Sequence, residues 1–226
     1  MTNTATREEW ELARVELLAA EKEHSRRGDE LSRRRRALPW VAVEHDYVFD
    51  TEHGRRTLAD LFDGRSQLIV YHFMFGADWE EGCPSCSFWA DNYDGLAPHL
   101  AARDVTLVAA SIGPLDRLLA YRERMGWSFP WVSSAGTTFN RDFEVSGTTR
   151  YNYRSTEEPI DEMPGLSVFA RVDGSVFHTY SAYARGLDVF NSAYQLLDMV
   201  PKGRDEDDLP WSMAWLRRHD EYETDR

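Results

Sequence analysis

The stretch "QLIVYHFMFGADWEEGCPSCSFW", residues 67 to 89, carries the strongest fold signal in the chain. Its first part, "QLIVYHFMF" (67 to 75), is nearly all apolar, β-branched or aromatic. Such a run is typical of a central strand that is covered on both faces. A loop (76 to 82) follows, and the motif Cys83-Pro84-Ser85-Cys86 then stands where a helix should begin, with Pro84 in its first turn. The stretch predicts a strand, a loop and a helix that begins at two cysteines.

On both sides of this stretch, extended and helical patterns alternate. The remaining predicted elements are an extended segment at 41 to 49, a helical turn at 54 to 62, a strand at 105 to 112, a helix at 114 to 126, a short strand at 128 to 134, a hairpin at 166 to 181 and a helix at 186 to 200. The helix that begins at Pro84 is expected to reach about Arg103. This alternation predicts an α/β fold, with a central mixed sheet flanked by helices.

Two appendages flank this core in the predicted domain organisation. Residues 1 to 37 form a long charged helix, because no proline interrupts them and Thr6 with Glu9 has capping-box spacing. Gly28 is expected to mark a break in it. Its thin apolar stripe favours packing on the main domain or pairing in a homodimer. The core is assigned to residues 38 to 200, and residues 201 to 226 to a polar linker and a short docked C-terminal helix.

The charge and composition of the chain restrict its partners. The chain has 226 residues and a formal net charge of −13, which disfavours binding to nucleic acid or anionic lipid. The run Arg33 to Arg36 is therefore interpreted as a solvated helix face rather than a nucleic-acid patch. No apolar run reaches the roughly 18 residues that span a bilayer, and the start shows no apolar signal segment, so we expect a cytoplasmic protein without a membrane partner.

Cys83 and Cys86 are the only cysteines, and their spacing suits dithiol chemistry. In a reducing compartment such a pair is more often catalytic or metal-binding than a structural disulfide. A helix N-terminus favours the thiolate, so Cys83 is predicted to be the exposed attacking thiol and Cys86 the buried resolving thiol. Acidic residues crowd the approach (Asp78, Glu80 and Glu81), and no Lys or Arg lies within ten residues of Cys83. Nearby anions raise the pKa of a thiol, which opposes the effect of the helix.

A metal site is the alternative that the cysteine pair leaves open. Zinc would need two further ligands, and His72, His99 or His178 would have to supply them. His72 and His178 lie on predicted strands, where a hydrogen-bonded structural histidine is the favoured interpretation, and His99 is expected at the surface. We therefore predict no metal and no bound cofactor.

Several quoted motifs resemble known families. The motif "CPSC" between a buried strand and a helix resembles a thioredoxin-fold active site, with proline placed as in glutaredoxins. The segment "HGRRTLADLFDGRSQLIVYHFMF" (53 to 75) and "SFPWVSSAGTTFNRDF" (128 to 143) resemble peroxiredoxin-like and TlpA-like domains. More closely, the chain resembles the bacterial DUF899 family of predicted dithiol-disulfide oxidoreductases, through "ALPWV", "LFDGRSQLIVYHFMFG", "CPSCS", "PGLSVFAR", "TYSAYARGLD" and "WLRRHDEY".

The resemblance implies a thioredoxin-like fold and a substrate site around the pair. In such folds a cis-proline faces the dithiol and docks the substrate backbone. Pro164, preceded by Met163, is the candidate, and a trans turn proline is the alternative. Pro84 and Ser85 within the motif are assigned to substrate binding. Trp79 is assigned to a hydrophobic rim.

The resemblance also implies a reaction and its partners. The leading hypothesis is a dithiol-disulfide oxidoreductase that acts on a disulfide-containing protein or a small-molecule thiol substrate. A thiol peroxidase is less favoured, because Glu80 lies three residues before Cys83 and the proline and hydroxyl of the peroxiredoxin motif are absent. A third hypothesis is a non-catalytic binding or scaffolding module that dimerises through the N-terminal helix.

Overall fold

The computed structural model describes residues 4–222. Two compact units divide the chain, residues 1–39 and residues 40–226. The strands of the second unit are β1 (Val41–Ala42), β2 (Val48–Thr51), β3 (Gly54–Thr57), β4 (Gln67–His72), β5 (Val105–Ser111), β6 (Trp131–Ser133), β7 (Thr148–Tyr151), β8 (Arg154–Ile160), β9 (Gly165–Val172) and β10 (Ser175–Tyr183). The α-helices are α1 (Arg7–Arg36), α2 (Pro84–Ala90), α3 (Ala97–Ala101), α4 (Leu115–Arg124), α5 (Phe139–Asp142) and α6 (Ser192–Leu197). Short 3₁₀ helices cover Asp60–Phe62 and Ala184–Phe190.

The first unit is dominated by the long helix α1. Thr6 is its N-cap, and its hydroxyl oxygen accepts from the Glu9 amide at 3.2 Å while the Glu9 carboxylate accepts from the Thr6 amide at 2.8 Å. This is the capping box that the sequence predicts. The helix continues through Gly28 to Arg36, so the expected break at Gly28 is wrong. One glycine costs only about 1 kcal/mol in a helix, and ion pairs such as Arg26 with Glu23 support the same turns.

The second unit is built on a mixed sheet with the order β1-β10-β9-β4-β5-β6-β2-β3. Strand β4 lies at its centre, parallel to β5 on one side and antiparallel to β9 on the other. Strand β9 continues into β10 as an antiparallel hairpin. A parallel βαβ unit followed by an antiparallel hairpin, in the order β10-β9-β4-β5, is the arrangement of a thioredoxin-like fold. The α/β fold class predicted from the sequence is confirmed.

Two apolar cores cover the two faces of this sheet. Along β4, Tyr71 enters one core, and Leu68 and Val70 enter the other. Along β5, Ala109 and Val108 divide in the same way. Because successive side chains of a strand point to opposite faces, a strand that is buried on both faces is apolar throughout. The first core also contains Cys86, so the cysteine pair rests directly on the sheet centre.

The predicted helix from Pro84 to about Arg103 is wrong in its length. It is two short helices, α2 and α3, separated by turns at residues 91–96. The Asn92 side-chain amide donates to the Phe88 carbonyl at 2.7 Å, and Gly95 adopts a positive φ of 79°. Asparagine and glycine compete with helix formation in these two ways.

The predicted helix at 186 to 200 is also interrupted. A 3₁₀ helix covers Ala184–Phe190, and α6 begins only after Asn191. The Asn191 side-chain oxygen accepts from the Tyr194 amide at 3.2 Å, which makes Asn191 an N-cap instead of a helix interior residue.

The C-terminal segment contains turns instead of the predicted docked helix, as far as residue 222. Its organising group is Glu206, whose Oε1 accepts from the Trp215 indole at 2.7 Å and from the Met213 amide at 3.1 Å. These bonds to one carboxylate hold the segment in a folded-back form. Trp215 packs against the first core, whereas Trp211 is exposed.

Two further differences between prediction and structure concern strands. The segment at 54 to 62, predicted as a helical turn, contains β3 and then a 3₁₀ helix. The segment at 41 to 49 is extended as predicted and contains β1 and the start of β2. The hairpin of β7 and β8, at residues 148–160, was not predicted. Its sequence "TTRYNYRSTEEPI" is too polar to give a strand signal, and its turn is made by Asn152 and Tyr153 at positive φ.

No helix within residues 4–222 has the length and apolarity that a membrane crossing needs.

Candidate active site at the cysteine pair

The cysteine pair lies where the central strand meets a short helix. Strand β4 ends at His72, and the chain then turns back so that the Cys83 amide donates to the Met74 carbonyl at 3.2 Å. Cys83 is the N-cap of α2, and Pro84 occupies the first turn. The proline costs nothing there, since the first amides of a helix have no intrahelical acceptor. The predicted strand, loop and helix start are all present.

The two sulfurs differ in their exposure. Both cysteines are free thiols, Cys83 half-buried and Cys86 only 2% exposed. The Met74 amide donates to the Cys86 sulfur at 3.4 Å, which holds that sulfur against the extension of β4. A reagent that enters from solvent therefore meets Cys83 first.

The pKa values of the two thiols are displaced in opposite directions. A hydrogen bond from the Cys86 thiol lowers the pKa of Cys83 to about 6, and further donors are the Cys86 and Ser85 amides and the Ser85 hydroxyl. Burial opposes this effect but is outweighed. Burial raises the pKa of Cys86 well above its ordinary value, and the hydrogen bond to Cys83 raises it further. The pair therefore consists of one thiolate and one protonated thiol near neutral pH.

Two of the three acidic residues in the approach to the pair form ion pairs with arginines that are distant in sequence. Glu80 pairs with Arg117 at 3.3 Å. Glu81 pairs with Arg124 at 2.6 Å and with Arg218 at 3.0 Å. The sequence shows only the local excess of carboxylates. Folding brings α4 and the C-terminal segment to the same loop, so these two carboxylates face cations.

Arg218 ties the C-terminal segment to the cysteine loop. Its guanidinium donates to the Gly82 carbonyl at 2.9 Å and to the Tyr121 hydroxyl at 2.9 Å. The Tyr121 hydroxyl in turn shares a 2.8 Å hydrogen bond with the Ser87 hydroxyl, which donates to the Cys83 carbonyl at 2.9 Å. The carbonyls of Gly82 and Cys83 are thus held by one network.

Both cysteines open onto a cavity of about 450 Å³. This volume is in the range of about 300–1,000 Å³ that small-molecule sites have. Most of the wall is apolar, and its apolar members include Tyr71, Met74, Trp89, Met163, Leu187 and Met213. The cavity reaches from the sheet centre to the C-terminal segment, and the sulfurs lie in its wall.

Residues 1–222 match the profile of a family described as a bacterial protein of unknown function, DUF899. The chain belongs to the DUF899 family. The match extends over the N-terminal helix, the sheet and the C-terminal segment, so it covers all the elements that surround the cysteine pair. No curated protein is a detectable relative of this DUF899 chain.

Similar solved structures include several peroxiredoxins. Peroxidoxin BcpB from Mycobacterium tuberculosis is 17% identical, with a TM-score of 0.49 over 70% of this chain and 97% of that chain. Peroxiredoxin Q from Xanthomonas campestris is 12% identical, with a TM-score of 0.49 over 70% of this chain and 98% of that chain. A yeast mitochondrial 1-Cys peroxiredoxin is 18% identical, with a TM-score of 0.42 over 71% of this chain and 78% of that chain.

The structure of this DUF899 protein brings some of the predicted substrate residues together and leaves others apart. Ser85, Met163 and Pro164 line the cavity beside the cysteines. Pro84 does not line it, and its ring belongs to the first turn of α2. Trp79 is also outside the cavity wall, 36% exposed, and its carbonyl accepts from an arginine of α4.

The segment around Pro164 forms the wall opposite α2. No peptide bond among residues 4–222 is cis. The cis-proline interpretation of Pro164 is therefore wrong, and Pro164 is the trans turn proline that was the alternative. Its carbonyl accepts from the Tyr151 hydroxyl at 2.9 Å, and the same hydroxyl accepts from the Ala184 amide at 2.9 Å. Tyr151, from the unpredicted β7–β8 hairpin, thus joins two parts of the cavity wall.

The histidines considered as zinc ligands lie elsewhere or have other partners. His72 shares a 2.8 Å hydrogen bond with the Ser167 hydroxyl, and burial lowers its pKa to about 3. His178 bonds to the Tyr180 carbonyl at 3.0 Å. His99 is exposed on α3. Within residues 4–222, no group of three or more His, Cys, Asp or Glu side chains is placed to hold a metal ion.

Apart from Met163 and Pro164, sequence reasoning missed the cavity residues that come from the C-terminal third of the chain. The cavity wall includes Tyr151, Arg204, Glu206 and Met213. Two tryptophans in "LPWSMAW" are a signal that this segment docks on a core, but they do not indicate where. Arg185 also lines the cavity, where it is exposed and pairs with Asp188 at 3.2 Å.

Proposed function

We propose that this DUF899 protein is a thioredoxin-like dithiol-disulfide oxidoreductase that uses Cys83 and Cys86. The observation that carries the proposal is the asymmetry of the pair. One half-buried thiol has a lowered pKa, a buried thiol donates a hydrogen bond to it, and both sulfurs open onto the same cavity. A dithiol catalyst requires an attacking thiolate and a resolving thiol within reach of it.

The proposed reaction is a two-electron exchange. The Cys83 thiolate attacks one sulfur of a substrate disulfide, forms a mixed disulfide and releases the other substrate sulfur as a thiolate, which takes a proton from solvent. Cys86 then loses its proton and attacks the Cys83 sulfur. This step forms the Cys83–Cys86 disulfide and releases the second substrate thiol. The substrate disulfide is reduced, the enzyme dithiol is oxidised, and an external dithiol restores it.

The first test counts and ranks the two thiols. The reduced protein is alkylated briefly with iodoacetamide at pH 7, and the labelled cysteines are assigned by peptide mass. Cys83 should react at least about tenfold faster than Cys86, because it is the accessible thiolate. Equal rates, or faster labelling of Cys86, would contradict the assignment of roles.

The second test measures turnover with matched variants. The wild-type protein should reduce a low-molecular-weight disulfide with an external dithiol as electron source, and Cys83→Ser should abolish the reaction. Cys86→Ser should stop at a mixed disulfide on Cys83, detectable as added mass. Peroxide consumption that survives Cys86→Ser would instead favour the thiol peroxidase. Absence of both activities in the folded wild type would leave the binding or scaffolding module.

A further inference from the structure

The cavity beside the sulfurs is closed on one side by the C-terminal segment. Arg204, Glu206, Ser212 and Met213 all contribute to its wall, opposite the sheet and α2. The C-terminal segment is held there by Glu206, whose Oε1 accepts from the Tyr194 hydroxyl at 3.0 Å as well as from the Trp215 indole. The sulfurs therefore lie in a cleft that is partly open to solvent, and a substituent on a reacting sulfur can lie against the apolar wall beside them.

The wall of this cavity offers few free hydrogen-bonding groups. The Trp89 indole donates to the Leu187 carbonyl at 2.9 Å, and the Tyr194 hydroxyl is bonded to Glu206. Three methionines contribute to the wall: Met74, Met163 and Met213. Methionine side chains adapt to irregular apolar ligands, and aromatic side chains provide further apolar area. A ligand body in this volume is thus held by apolar contact.

The charges in the wall compensate one another. Arg204 pairs with Asp188 at 3.2 Å and with Asp198 at 2.8 Å, and its guanidinium stacks 3.9 Å from the Tyr194 ring centroid. Asp188 also pairs with Arg185. Each arginine of the wall already has a carboxylate partner, so an anionic ligand would gain no unpaired cation. The paired arginines and the apolar lining consequently favour an uncharged ligand over an anion.

We infer that the substrate of the cysteine pair is an uncharged, low-molecular-weight disulfide with apolar substituents. One substituent occupies the cavity, and its sulfur lies against Cys83. This inference rests on the proposed dithiol-disulfide function. The electron balance is the one given above: the dithiol loses two electrons, and the disulfide yields two apolar thiols. A protein disulfide is disfavoured because the polar backbone beside its sulfurs would face a mostly apolar wall.

A binding experiment tests the cavity without any thiol chemistry. The neutral fluorophore N-phenyl-1-naphthylamine is titrated into the Cys83→Ser protein, and its emission is followed. We expect stoichiometric binding that dipropyl disulfide displaces. Met213→Trp fills the cavity and should weaken binding about tenfold or more, whereas Met199→Trp, at a residue that is 73% exposed and outside the cavity wall, should leave it unchanged. Failure of the fluorophore to bind, or equal effects of the two variants, would overturn the inference.

A kinetic experiment tests substrate preference with a matched pair. Dipropyl disulfide and bis(2-hydroxyethyl) disulfide have the same number of non-hydrogen atoms and differ in a methyl against a hydroxyl at each end. After correction for their rates with a small reference dithiol, kcat/KM should be about tenfold higher for the dipropyl compound, from the transfer of one apolar end into the cavity. Equal values, or faster reduction of a protein disulfide such as that of insulin, would overturn the inference.

Variants of the cavity wall link the binding experiment to the kinetic experiment, and they distinguish the substrate inference from the proposed function. Met213→Trp should remove the preference for dipropyl disulfide, whereas Met199→Trp should retain the preference and leave the rate of Cys83 alkylation by iodoacetamide unchanged. Ser212→Phe, at an exposed residue of the wall, serves the same purpose if Met213→Trp does not fold. Fluorophore binding without turnover of any disulfide would reject the proposed function and, with it, the substrate inference, and would leave only an apolar binding cavity. Turnover without preference would reject the inference alone.

Discussion

Cys83 and Cys86 carry identical side chains one helical turn apart, yet their surroundings favour opposite protonation states. The first sulfur receives hydrogen bonds from amides, a hydroxyl and the second thiol. The second is buried in the apolar core, where a charged form is costly. The opposite pKa displacements of the two thiols therefore come from position alone.

The lowered pKa of Cys83 predicts how the rate of its alkylation depends on pH. The rate of Cys83 alkylation by iodoacetamide should rise with its thiolate fraction and reach half its maximum near pH 6. Cys86→Ala should move this midpoint to higher pH, because the Cys86 hydrogen bond is the largest cause of the lowering. The measurement is a pH series with peptide-mass assignment. A wild-type midpoint near the ordinary thiol value of about 8.5 would contradict it.

At the scale of elements, the C-terminal segment acts as a clamp on the cysteine loop. It contains no regular helix up to residue 222, and its position depends on side-chain bonds. The Arg218 side chain is only 13% exposed and bonds both Glu81 and the Gly82 carbonyl of the loop. Removing the Arg218 guanidinium leaves the carbonyl of the buried residue Gly82 without this donor.

Arg218→Gln should loosen this clamp. We expect the free energy of unfolding to fall by on the order of 1–3 kcal/mol, and hydrogen exchange of residues 80–87 to accelerate. Arg217→Gln is the matched control, because the Arg217 guanidinium bonds only to carbonyls of its own segment, those of Ala214 and Leu216. Exchange at residues 80–87 that responds equally to both variants would show that Arg218 is not the clamp.

At the scale of the whole molecule, the chain combines a compact α/β unit with a helix that has no buried residue. Trp10, Leu17 and Leu31 are exposed on α1 and are separated by multiples of seven residues. Residues at that spacing lie along one side of a helix, and a second helix with the same stripe would cover them. The homodimer expected from the sequence stays a prediction on this basis.

Sedimentation of the full chain tests this dimer. The wild type should sediment as a dimer, and Leu17→Glu should shift it to a monomer by placing a charge in the stripe. Leu12→Glu is the control, because Leu12 is also exposed, at 70% against 55% for Leu17, but lies on the other side of the helix. A monomeric wild type at micromolar concentration, or equal effects of both variants, would contradict dimerisation through α1.

The fold class and the position of the cysteine pair could be predicted from local patterns. The apolar run at 67 to 75 indicates a strand buried on both faces, and the Cys-Pro-Ser-Cys motif after it indicates a helix start with two inequivalent thiols. Both signals depend on neighbouring residues, and both elements are present. Local patterns were less reliable where a single side chain stops a helix, as Asn92 and Asn191 do.

The α/β order, the central strand, the capped N-terminal helix and the position of the cysteines at a helix start all follow from the amino-acid sequence. The pairing of Arg124 and Arg218 with Glu81 of the acidic loop, and the completion of the cavity by Tyr151, Glu206 and Met213, depend on the tertiary fold. The two groups of features differ in how far apart in the chain the interacting residues lie. Periodicity and capping act over a few residues, whereas ion pairs and cavity walls join residues that are 43 to more than 130 positions apart in the chain.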